Sequence, residues 1–495
     1  MSVLDDAFAA GAAVLAGAVE SGELPGAAFA VASVDGGVRH VVAGLADVGA
    51  GRAVTVDTPF SLASTTKPIA ATVLGALVDA GVLAWDEPVD LPAGLLPPGR
   101  SPTLLEVAAH TAGLGTHHRF AYVDELTEDR SAWSASDAVR AAVASFARPV
   151  LPPGWQWRYS NLGYGVLQLV AERASGASMD DLVQRHVFDA VGMPTAGWGS
   201  PTGPAGAAVR YGAERRPYPG YTTDHPCASE AWCGIDDLVR FGLAHATGSL
   251  LSGAMHGLLG SPVAPRQADG GAYGVGWVTR DVGAAPGGVR VLVHAGRMGG
   301  VGAHLTVVPS LGLAIAALTN VETERLGEAV AAVLARVIPG YAPPAPTPGW
   351  RGGPAHPSLR ARWEGELLLG DDRSPAVIDA SGDTITLAVD GEETPLVSPH
   401  LQPHLVAGHA NLALRARLAP AGSILHLDAL PARVVDGDTL EPYRPDETGA
   451  IPDAIPDAIP DAIVGALVAA RYASPDRPRQ GDAVSAALLL HRVTP

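Results

Sequence analysis

The chain has 495 residues, of which 47% are hydrophobic and 17% charged, so it can bury a large core and is not a disordered, collagenous or coiled-coil protein. Its formal net charge of −18 at pH 7 disfavours nucleic acid and anionic membranes as partners. Two cysteines exclude a disulfide framework and a four-thiolate zinc site, which fits a reducing compartment. The length predicts two domains.

The first residues predict an amphipathic helix rather than a secretion signal. The segment from Met1 to Glu23 contains acidic residues but no basic one, whereas a signal peptide begins with a positive region ahead of an apolar stretch. No uncharged run elsewhere is long enough to cross a bilayer. These patterns predict a soluble, cytoplasmic protein.

Strand-like and helical patterns follow one another in the first domain, predicted at residues 1–340. The strand patterns, of which the first two flank a turn and predict a hairpin, are Gly26–Ser33, Val38–Ala43, Val289–His294 and Ala303–Thr319. The helical patterns are Thr65–Leu83, Leu104–His110, Ser136–Ala147, Val166–Ser175 and Asp236–His245. Strands at both ends with helices between them predict an α+β domain with an antiparallel sheet flanked by helices.

Residues 341–356 are rich in proline and glycine and predict an interdomain linker. Beyond it, residues 357–495 contain short strand-like runs that predict an antiparallel β-barrel. These runs are Arg362–Leu369, Thr384–Val389, Leu412–Leu418, Ile424–Leu430 and Ala486–His491. The tetrapeptide Ile-Pro-Asp-Ala occurs three times in succession from Ile451, and its regular prolines forbid a helix, so we interpret it as a low-complexity loop insertion.

Lys67 is the only lysine in the chain, so every other side chain with a fixed positive charge is an arginine. A GC-rich genome replaces lysine with arginine wherever either suffices, which explains the arginines but not the exception. Arginine keeps its proton in proteins, whereas a desolvated lysine can lose it. The retained lysine therefore indicates a site of proton transfer.

Lys67 lies three residues after Ser64, where a loop enters a long apolar helix. Residues three apart share a helix face, so the amine can reach the hydroxyl. The helix N-terminus favours a seryl oxyanion and disfavours a charged lysine. A lysine that acts as a base near neutral pH needs about 4 to 5 kcal/mol of desolvation and charge repulsion, which burial can supply. The motif predicts a serine nucleophile activated by lysine.

Two further motifs carry side chains suited to the same chemistry. In Tyr159-Ser-Asn161, the tyrosine hydroxyl can relay a proton, and the asparagine amide can hold both a lysine and a substrate carbonyl. His294 ends an apolar strand whose edge can lie beside the nucleophile, so that a backbone amide of the strand and that of Ser64 form an oxyanion hole. Taken singly, each motif also has a structural interpretation, as an aromatic loop or a strand-end histidine packed on the core.

In this order and at these separations, the three motifs resemble the serine β-lactamase and penicillin-binding-protein superfamily, in particular its class C and D-alanyl-D-alanine-peptidase-like branch. Further segments are similar to connecting signatures of that family: Leu104–Leu114, Val191–Pro194, Asp236–Phe241 and Tyr273–Trp277. The resemblance covers roughly the first two-thirds of the chain and implies a β-lactamase-like fold. The roles that it implies are Ser64 as the acylated nucleophile, Lys67 as its general base, Tyr159 as the second acid/base, Asn161 as a substrate amide contact, His294 as a catalytic residue on the last strand, and the amides of Ser64 and Arg297 as the oxyanion hole.

The strand motif departs from the family at a position that affects substrate choice. Many members have Lys-Thr-Gly, whose lysine holds a substrate carboxylate, whereas this chain has His294-Ala-Gly296. A fixed cation for a β-lactam or a free D-alanine carboxylate is lost, as in the esterases and acyl transferases of the family, which argues against antibiotic hydrolysis. Glu230 and Trp232 replace small residues of the family and, with Gly296, are candidates for binding the substrate. A solvated charge is the alternative for Glu230.

The sequence predicts no metal and no cofactor. His117, His118 and His304 have no convergent acidic or thiol partner in the sequence. Cys233 is better explained as a small buried residue than as a nucleophile.

The missing export signal favours a cytoplasmic acyl donor over peptidoglycan. One branch of the superfamily, the penicillin-binding-protein-type thioesterases, takes a peptide from a carrier-protein thioester and closes it on its own N-terminus. Its members combine a catalytic domain with a lipocalin-like C-terminal barrel, and this chain resembles them in architecture, missing signal and motif spacing. The resemblance implies a stand-alone thioesterase that macrocyclises a nonribosomal peptidyl thioester, presented on a carrier protein or as a small-molecule mimic.

Two other functions stay open. A cytoplasmic esterase or D-stereospecific aminopeptidase would share every catalytic residue and differ only in whether water or an amine takes the acyl group. A non-catalytic β-lactam- or peptide-binding sensor is the third possibility. The retained Lys67 argues against it, because binding alone tolerates arginine.

Overall fold

The computed structural model describes the chain in thirteen segments, residues 3–96, 99–117, 120–122, 135–212, 215–265, 271–343, 361–382, 385–406, 409–418, 424–435, 439–442, 461–470 and 483–493. The predicted linker lies outside them apart from residues 341–343, and so does the predicted loop insertion up to residue 460. The predicted domain boundary therefore stays a prediction.

Helices and strands of the first part of the chain follow an α+β order. The helices are α1 Val3–Glu20, α2 Thr66–Asp79, α3 Leu104–Ala108, α4 Ala135–Phe146, α5 Asn161–Ser175, α6 Met179–Val183, α7 Asp189–Val191, α8 Pro226–Ser229, α9 Ile235–Thr247, α10 Gly253–Leu259 and α11 Arg325–Val337. The strands are β1 Gly26–Ser33, β2 Gly37–Asp47, β3 Arg52–Ala53, β4 Phe60–Ser61, β5 Phe120–Tyr122, β6 Gly197–Trp198, β7 Tyr221–Thr223, β8 Ala231–Cys233, β9 Ala264–Pro265, β10 Ala272–Tyr273, β11 Val278–Val282, β12 Val289–Met298, β13 Val301–Val308 and β14 Leu313–Thr319.

The central sheet of this part joins strands from both of its ends. Its nine strands lie in the order β3-β2-β1-β14-β13-β12-β11-β10-β9 and pair antiparallel throughout. In the middle, β1 pairs with β14 from Ala27 opposite Thr319 to Ser33 opposite Leu313. Every residue of β1 except the last is buried, so both faces of the sheet are covered there.

Helices cover the two faces of the sheet. On one face, Phe29 of β1 and Ile315 of β14 pack in a cluster with Leu15 of α1 and Val333 of α11. Alternate strand residues point the other way and join the main core with α2 and α9, as expected from the two-residue period of a strand. The predicted β-lactamase-like arrangement of an antiparallel sheet flanked by helices is confirmed, and it places α2 in the middle of the core.

The second part of the chain is a separate antiparallel sheet. Its strands are β15 Arg362–Leu369, β16 Asp372–Asp379, β17 Thr386–Val389, β18 Glu392–Val406, β19 His409–Leu418, β20 Ile424–Val435, β21 Thr439–Pro442, β22 Ala462–Ala470 and β23 Ala483–Arg492. They lie in the order β19-β18-β17-β16-β15-β23-β22-β20-β21. The first strand of this order, β19, also pairs with β20, the last strand but one. The predicted antiparallel β-structure of this part is confirmed as a sheet, and its closure into a lipocalin-like barrel stays a prediction. Trp363 lies fully buried in the core of the sheet.

The two parts share an apolar contact. Val150, Leu151 and Trp155 of the first part form one buried cluster with side chains of the second, among them Leu368 and Ala487. None of the helices within the described ranges combines the length and apolar character needed to cross a bilayer.

Candidate active site

Ser64 lies on a tight turn between β4 and α2. The turn is one 3-10 turn, Ala63–Thr65, and Ala63 has a φ of 43°, in the left-handed region that residues with a side chain rarely adopt. Ala63 is held there by packing against Tyr221 and Met298. Such strain concentrates at functional sites, and here it lies next to the predicted nucleophile, which remains partly exposed.

Lys67 lies in the first turn of α2 and is fully buried. Its Nζ is 2.8 Å from Asn161 Oδ1, 3.1 Å from the Ala228 carbonyl oxygen and 3.2 Å from Ser64 Oγ. It also lies 4.6 Å from the centre of the Tyr159 ring. The structure therefore brings the three predicted residues Ser64, Tyr159 and Asn161 around this amine.

The contacts of Lys67 suit a neutral amine. Two partners, Asn161 Oδ1 and the Ala228 carbonyl, can only accept and take both hydrogens of an NH₂ group. The lone pair then faces Ser64 Oγ, which is the arrangement that a base needs to receive the seryl proton. Burial lowers the pKa of Lys67 well below its ordinary value of 10.5, partly opposed by the neighbouring Cys227. The geometry thus accommodates the neutral amine that desolvation favours.

Tyr159 completes the hydrogen bonding of the nucleophile. Its hydroxyl donates to Ser64 Oγ at 2.7 Å, while Ser64 can give its own hydrogen to Lys67. The rings of His110 and Tyr159 pack together with their centroids 4.6 Å apart. His110 also accepts the backbone amides of Arg158, on its carbonyl oxygen at 2.8 Å, and of Ser160, on Nδ1 at 3.2 Å. His110 therefore holds the backbone on either side of Tyr159 and packs against the ring that carries its hydroxyl.

The helix that follows Tyr159 begins at Asn161 because Ser160 caps it. Ser160 has an extended backbone, and its Oγ accepts the amide of Gly163 at 3.1 Å. The cap places the tyrosine just before the helix and the asparagine in its first position, so that both side chains reach Lys67. The spacing of the Tyr-Ser-Asn motif is thus explained by one capping residue.

β12 runs past the turn that carries Ser64. Thr65 Oγ1 donates to the backbone oxygen of His294 at 3.3 Å. A Cβ at Gly296 would overlap the Leu62 carbonyl oxygen and lie 3.1 Å from the Thr65 nitrogen. Gly296, predicted as a substrate contact, therefore permits the close approach of strand and turn, and a contact with substrate stays a prediction.

The His294 ring is buried and held from both sides. Nδ1 lies 3.0 Å from the Ala295 carbonyl, which only accepts, so the proton of a neutral ring is on Nδ1. Nε2 then accepts from the Tyr273 hydroxyl at 3.1 Å. The predicted catalytic histidine is therefore a fixed, hydrogen-bonded ring at the place where many family members have a lysine.

Two predicted residues, Arg297 and Trp232, make structural contacts. The guanidinium of Arg297 forms an ion pair with Glu324, and the predicted role of the Arg297 amide in an oxyanion hole stays a prediction. Trp232 is 2% exposed, with the Arg210 guanidinium 5.2 Å from its ring. Since it is covered by protein in this structure, its predicted role in binding substrate stays a prediction.

Glu230 is 4% exposed, so the alternative of a solvated charge is wrong. Its Oε1 accepts from the hydroxyls of Thr222 at 2.7 Å and Thr223 at 2.8 Å and from the Thr223 amide. Burial raises the pKa of Glu230 in spite of these hydrogen bonds. Its predicted contact with substrate stays a prediction, and the structure ties the side chain to the end of β7.

The prediction that His117 has no acidic partner is wrong. His117 Nε2 and His225 Nδ1 each lie 2.7 Å from the carboxylate of Asp224, and both histidines are buried. Although burial alone raises the pKa of Asp224, the hydrogen bonds from the two rings hold it well below its ordinary value. Among the described residues, no set of three or more His, Cys, Asp or Glu side chains is arranged to hold a metal ion. His118 lies outside those residues.

Sequence reasoning missed three parts of the site. His110 and Tyr273 lie in the predicted connecting segments, which carried the resemblance but no assigned role. The Ala228 carbonyl, at the end of the short α8, has no signal in the sequence because any residue type supplies a carbonyl. Cys233 was predicted to be a small buried residue, and it is buried.

Comparisons with known proteins agree with this geometry. Residues 11–337 match the family model described as Beta-lactamase. Penicillin-binding protein 4 of Amycolatopsis lactamdurans is 29% identical over 332 residues, which cover 60% of this chain and 81% of that protein. Esterase EstB of Burkholderia gladioli is 36% identical over 173 residues, 31% of this chain and 42% of that protein.

Among solved structures, SurE, which has also been determined with D-Leu, is similar in fold along both parts of the chain. The two superpose with a TM-score of 0.59 at 20% identity, covering 99% of this chain and 100% of SurE. The family match, residues 11–337, includes Ser64, Lys67 and Tyr159, which hydrogen bonds bring together in the structure. The chain therefore belongs to the beta-lactamase family, the serine hydrolase superfamily that includes the penicillin-binding proteins.

Proposed function

We propose that this serine hydrolase is a peptidyl thioesterase that releases its acyl group by macrocyclisation. The observation that carries the proposal is the polar environment of Ser64, in which a buried amine faces the hydroxyl and a hydrogen-bonded His294 ring replaces the lysine of many relatives. A site without that fixed cation favours an acyl donor whose leaving end is uncharged, such as a thioester or an ester.

Acylation follows from the contacts of the nucleophile. Ser64 Oγ attacks the thioester carbonyl as its proton passes to the neutral Lys67 amine, 3.2 Å away. The tetrahedral intermediate collapses, the carbon–sulfur bond breaks, and the thiolate takes a proton from the Tyr159 hydroxyl. Lys67 returns its proton to Tyr159, which leaves a seryl ester, a free thiol and a neutral base.

Release uses the same groups in reverse. The N-terminal amine of the bound peptide attacks the seryl ester and loses a proton to the neutral Lys67 amine. The ester bond breaks, Ser64 Oγ regains a proton, and the product is a cyclic amide. Since Lys67 has no exposed surface, it is shielded from bulk water, which helps an amine to compete with hydrolysis.

The C-terminal sheet supports this branch of the superfamily. SurE is similar in fold along both parts of the chain rather than over the catalytic part alone. A structure of SurE has been determined with D-Leu. For this chain we infer a peptidyl thioester that ends in a D-residue, carried on a carrier protein or a small thiol. The cytoplasmic location stays a prediction.

Hydrolysis is the second candidate. The 36% identity to esterase EstB favours transfer of the same seryl ester to water. Both candidates use every catalytic residue in the same way as far as the acyl-enzyme, so only the fate of that intermediate separates them.

The test is mass spectrometry of the products from a peptidyl N-acetylcysteamine thioester with a C-terminal D-residue, with Ser64→Ala as the control. We expect a product one water lighter than the linear acid, absent with Ser64→Ala. Linear acid alone would establish a hydrolase, and unchanged thioester would refute thioesterase activity on this donor. A matched thioester ending in the L-residue tests the stereochemical preference.

A further inference from the structure

The C-terminal sheet contacts the segment that leads to Tyr159. Val150, Leu151 and Trp155 are buried in the apolar cluster shared with that sheet. At its margin Arg148 forms an ion pair with Asp371 of the second part. The second part of the chain therefore holds the residues that precede the acid/base tyrosine along the chain.

A hydrogen bond links the C-terminal sheet to Thr116, nearer to the candidate active site than the apolar cluster. Ser485 of β23 donates from Oγ to the backbone oxygen of Thr116 at 2.6 Å. A Cβ at the neighbouring Gly115 would lie only 2.6 Å from the Ser485 Cβ, so this approach depends on a residue without a side chain. Strand β23 and the backbone of residues 115–116 are therefore in direct contact.

The other side of residues 115–116 contacts the catalytic motif. Ser160 Oγ donates to the Gly115 carbonyl at 2.9 Å, and Thr116 Oγ1 lies 3.5 Å from the Tyr159 carbonyl oxygen. The same Ser160 Oγ caps α5, so a shift of Gly115 would disturb the start of that helix. Residues 115–116 thus form one layer between the C-terminal sheet and Tyr159.

We propose that Ser485 is a positioning residue for Tyr159, and that the C-terminal sheet acts on the acyl-enzyme chemistry through residues 115–116. The inference needs only a seryl acyl-enzyme that uses Tyr159, and it holds whether the acyl group leaves by cyclisation or by hydrolysis. It gives the second part of the chain a role in the first.

The experiment is ¹⁹F NMR of the full chain labelled with 3-fluorotyrosine, in which the Tyr159 signal is identified by its absence from Tyr159→Phe. We expect Ser485→Ala to shift or broaden this signal. The matched control is Ser374→Ala, which removes a 2.7 Å hydrogen bond to Asp390 within the C-terminal sheet and should leave the signal unchanged. Steady-state hydrolysis of p-nitrophenyl butanoate by the same preparations should show a kcat lower by about three- to tenfold for Ser485→Ala, with KM unchanged.

A second variant tests the same contact without changing a residue of β23, in case Ser485→Ala disturbs that strand. Gly115→Ala keeps the Ser485 side chain but forces the backbone of residues 115–116 away from strand β23. It should change the Tyr159 signal in the same way. An unchanged signal in both variants would overturn the proposal, as would equal effects of Ser485→Ala and Ser374→Ala on kcat. A fall in melting temperature with an unchanged Tyr159 signal would assign Ser485 a merely structural role and would also overturn it.

Discussion

Replacing Lys67 by arginine separates a base from a fixed cation. The Lys67 side chain is fully buried, with its Nζ within 3.2 Å of three oxygen atoms, and burial lowers its pKa. An arginine, with a pKa above about 12, is neutral in fewer than roughly one molecule in 10⁵ at pH 7. If only the neutral form accepts the Ser64 proton, Lys67→Arg removes the base and lowers the acylation rate by about 10²- to 10⁴-fold.

The assay is the rate at which Ser64 is acylated by an activated p-nitrophenyl ester, followed by intact-protein mass and by release of p-nitrophenol. Lys67→Met is the matched control, because it fills the same space with neither a charge nor a base. We expect the two variants to be equally inactive, with melting temperatures that show both to be folded. An arginine variant that acylates much faster than the methionine variant would refute the base and establish a fixed charge.

Three further variants test the framework of the site. Gly296→Ala should abolish activity and lower the free energy of unfolding by about 1–3 kcal/mol in chemical denaturation. Gly257→Ala, in helix α10 with nothing within 4 Å of the new Cβ, should leave activity unchanged and raise the free energy of unfolding by about 0.5–1 kcal/mol. Tyr273→Phe should lower kcat/KM by about tenfold and alter the pH profile of kcat/KM, because His294 loses its hydrogen-bond partner on Nε2. Tyr211→Phe, which loses a hydrogen bond from the Val48 amide outside the site, should change neither. Asp224→Asn should lower the free energy of unfolding at pH 7 by about 2–3 kcal/mol; since the folded pKa is depressed, the difference from the parent should shrink as the pH falls below about 4.

The sequence predicted the elements whose patterns are local. The strands at Gly26–Ser33 and Arg362–Leu369 are found at the predicted bounds, and the second strand of the first hairpin, predicted at Val38–Ala43, extends over Gly37–Asp47. The run Ala303–Thr319 was predicted as one stretch of strand, but a 3-10 turn at Pro309–Leu311 divides it, with Gly312 in the left-handed region. β22 was missed because its alanine-rich sequence is apolar throughout and shows no alternation.

The residues of the candidate site could be picked out from the sequence because the proposed chemistry constrains their types and spacing. Lys67 is the only lysine in the sequence and lies three residues after Ser64, and in the structure its Nζ is 3.2 Å from Ser64 Oγ. The partners that set its protonation state could not be predicted, since the Ala228 carbonyl reaches it from a residue 161 positions away. Asp224 was not linked to His117 for the same reason, because 107 residues separate them.

The central claim is that Lys67 is held as a neutral amine opposite Ser64, and the single lysine makes this directly measurable. Protein labelled with [¹³C,¹⁵N]lysine gives signals from one lysine side chain only, without mutation. Following its Cε and Nζ shifts with pH should report an amine that loses its proton at a pKa well below 10.5. A charged amine that titrates at or above 10.5 would contradict the account.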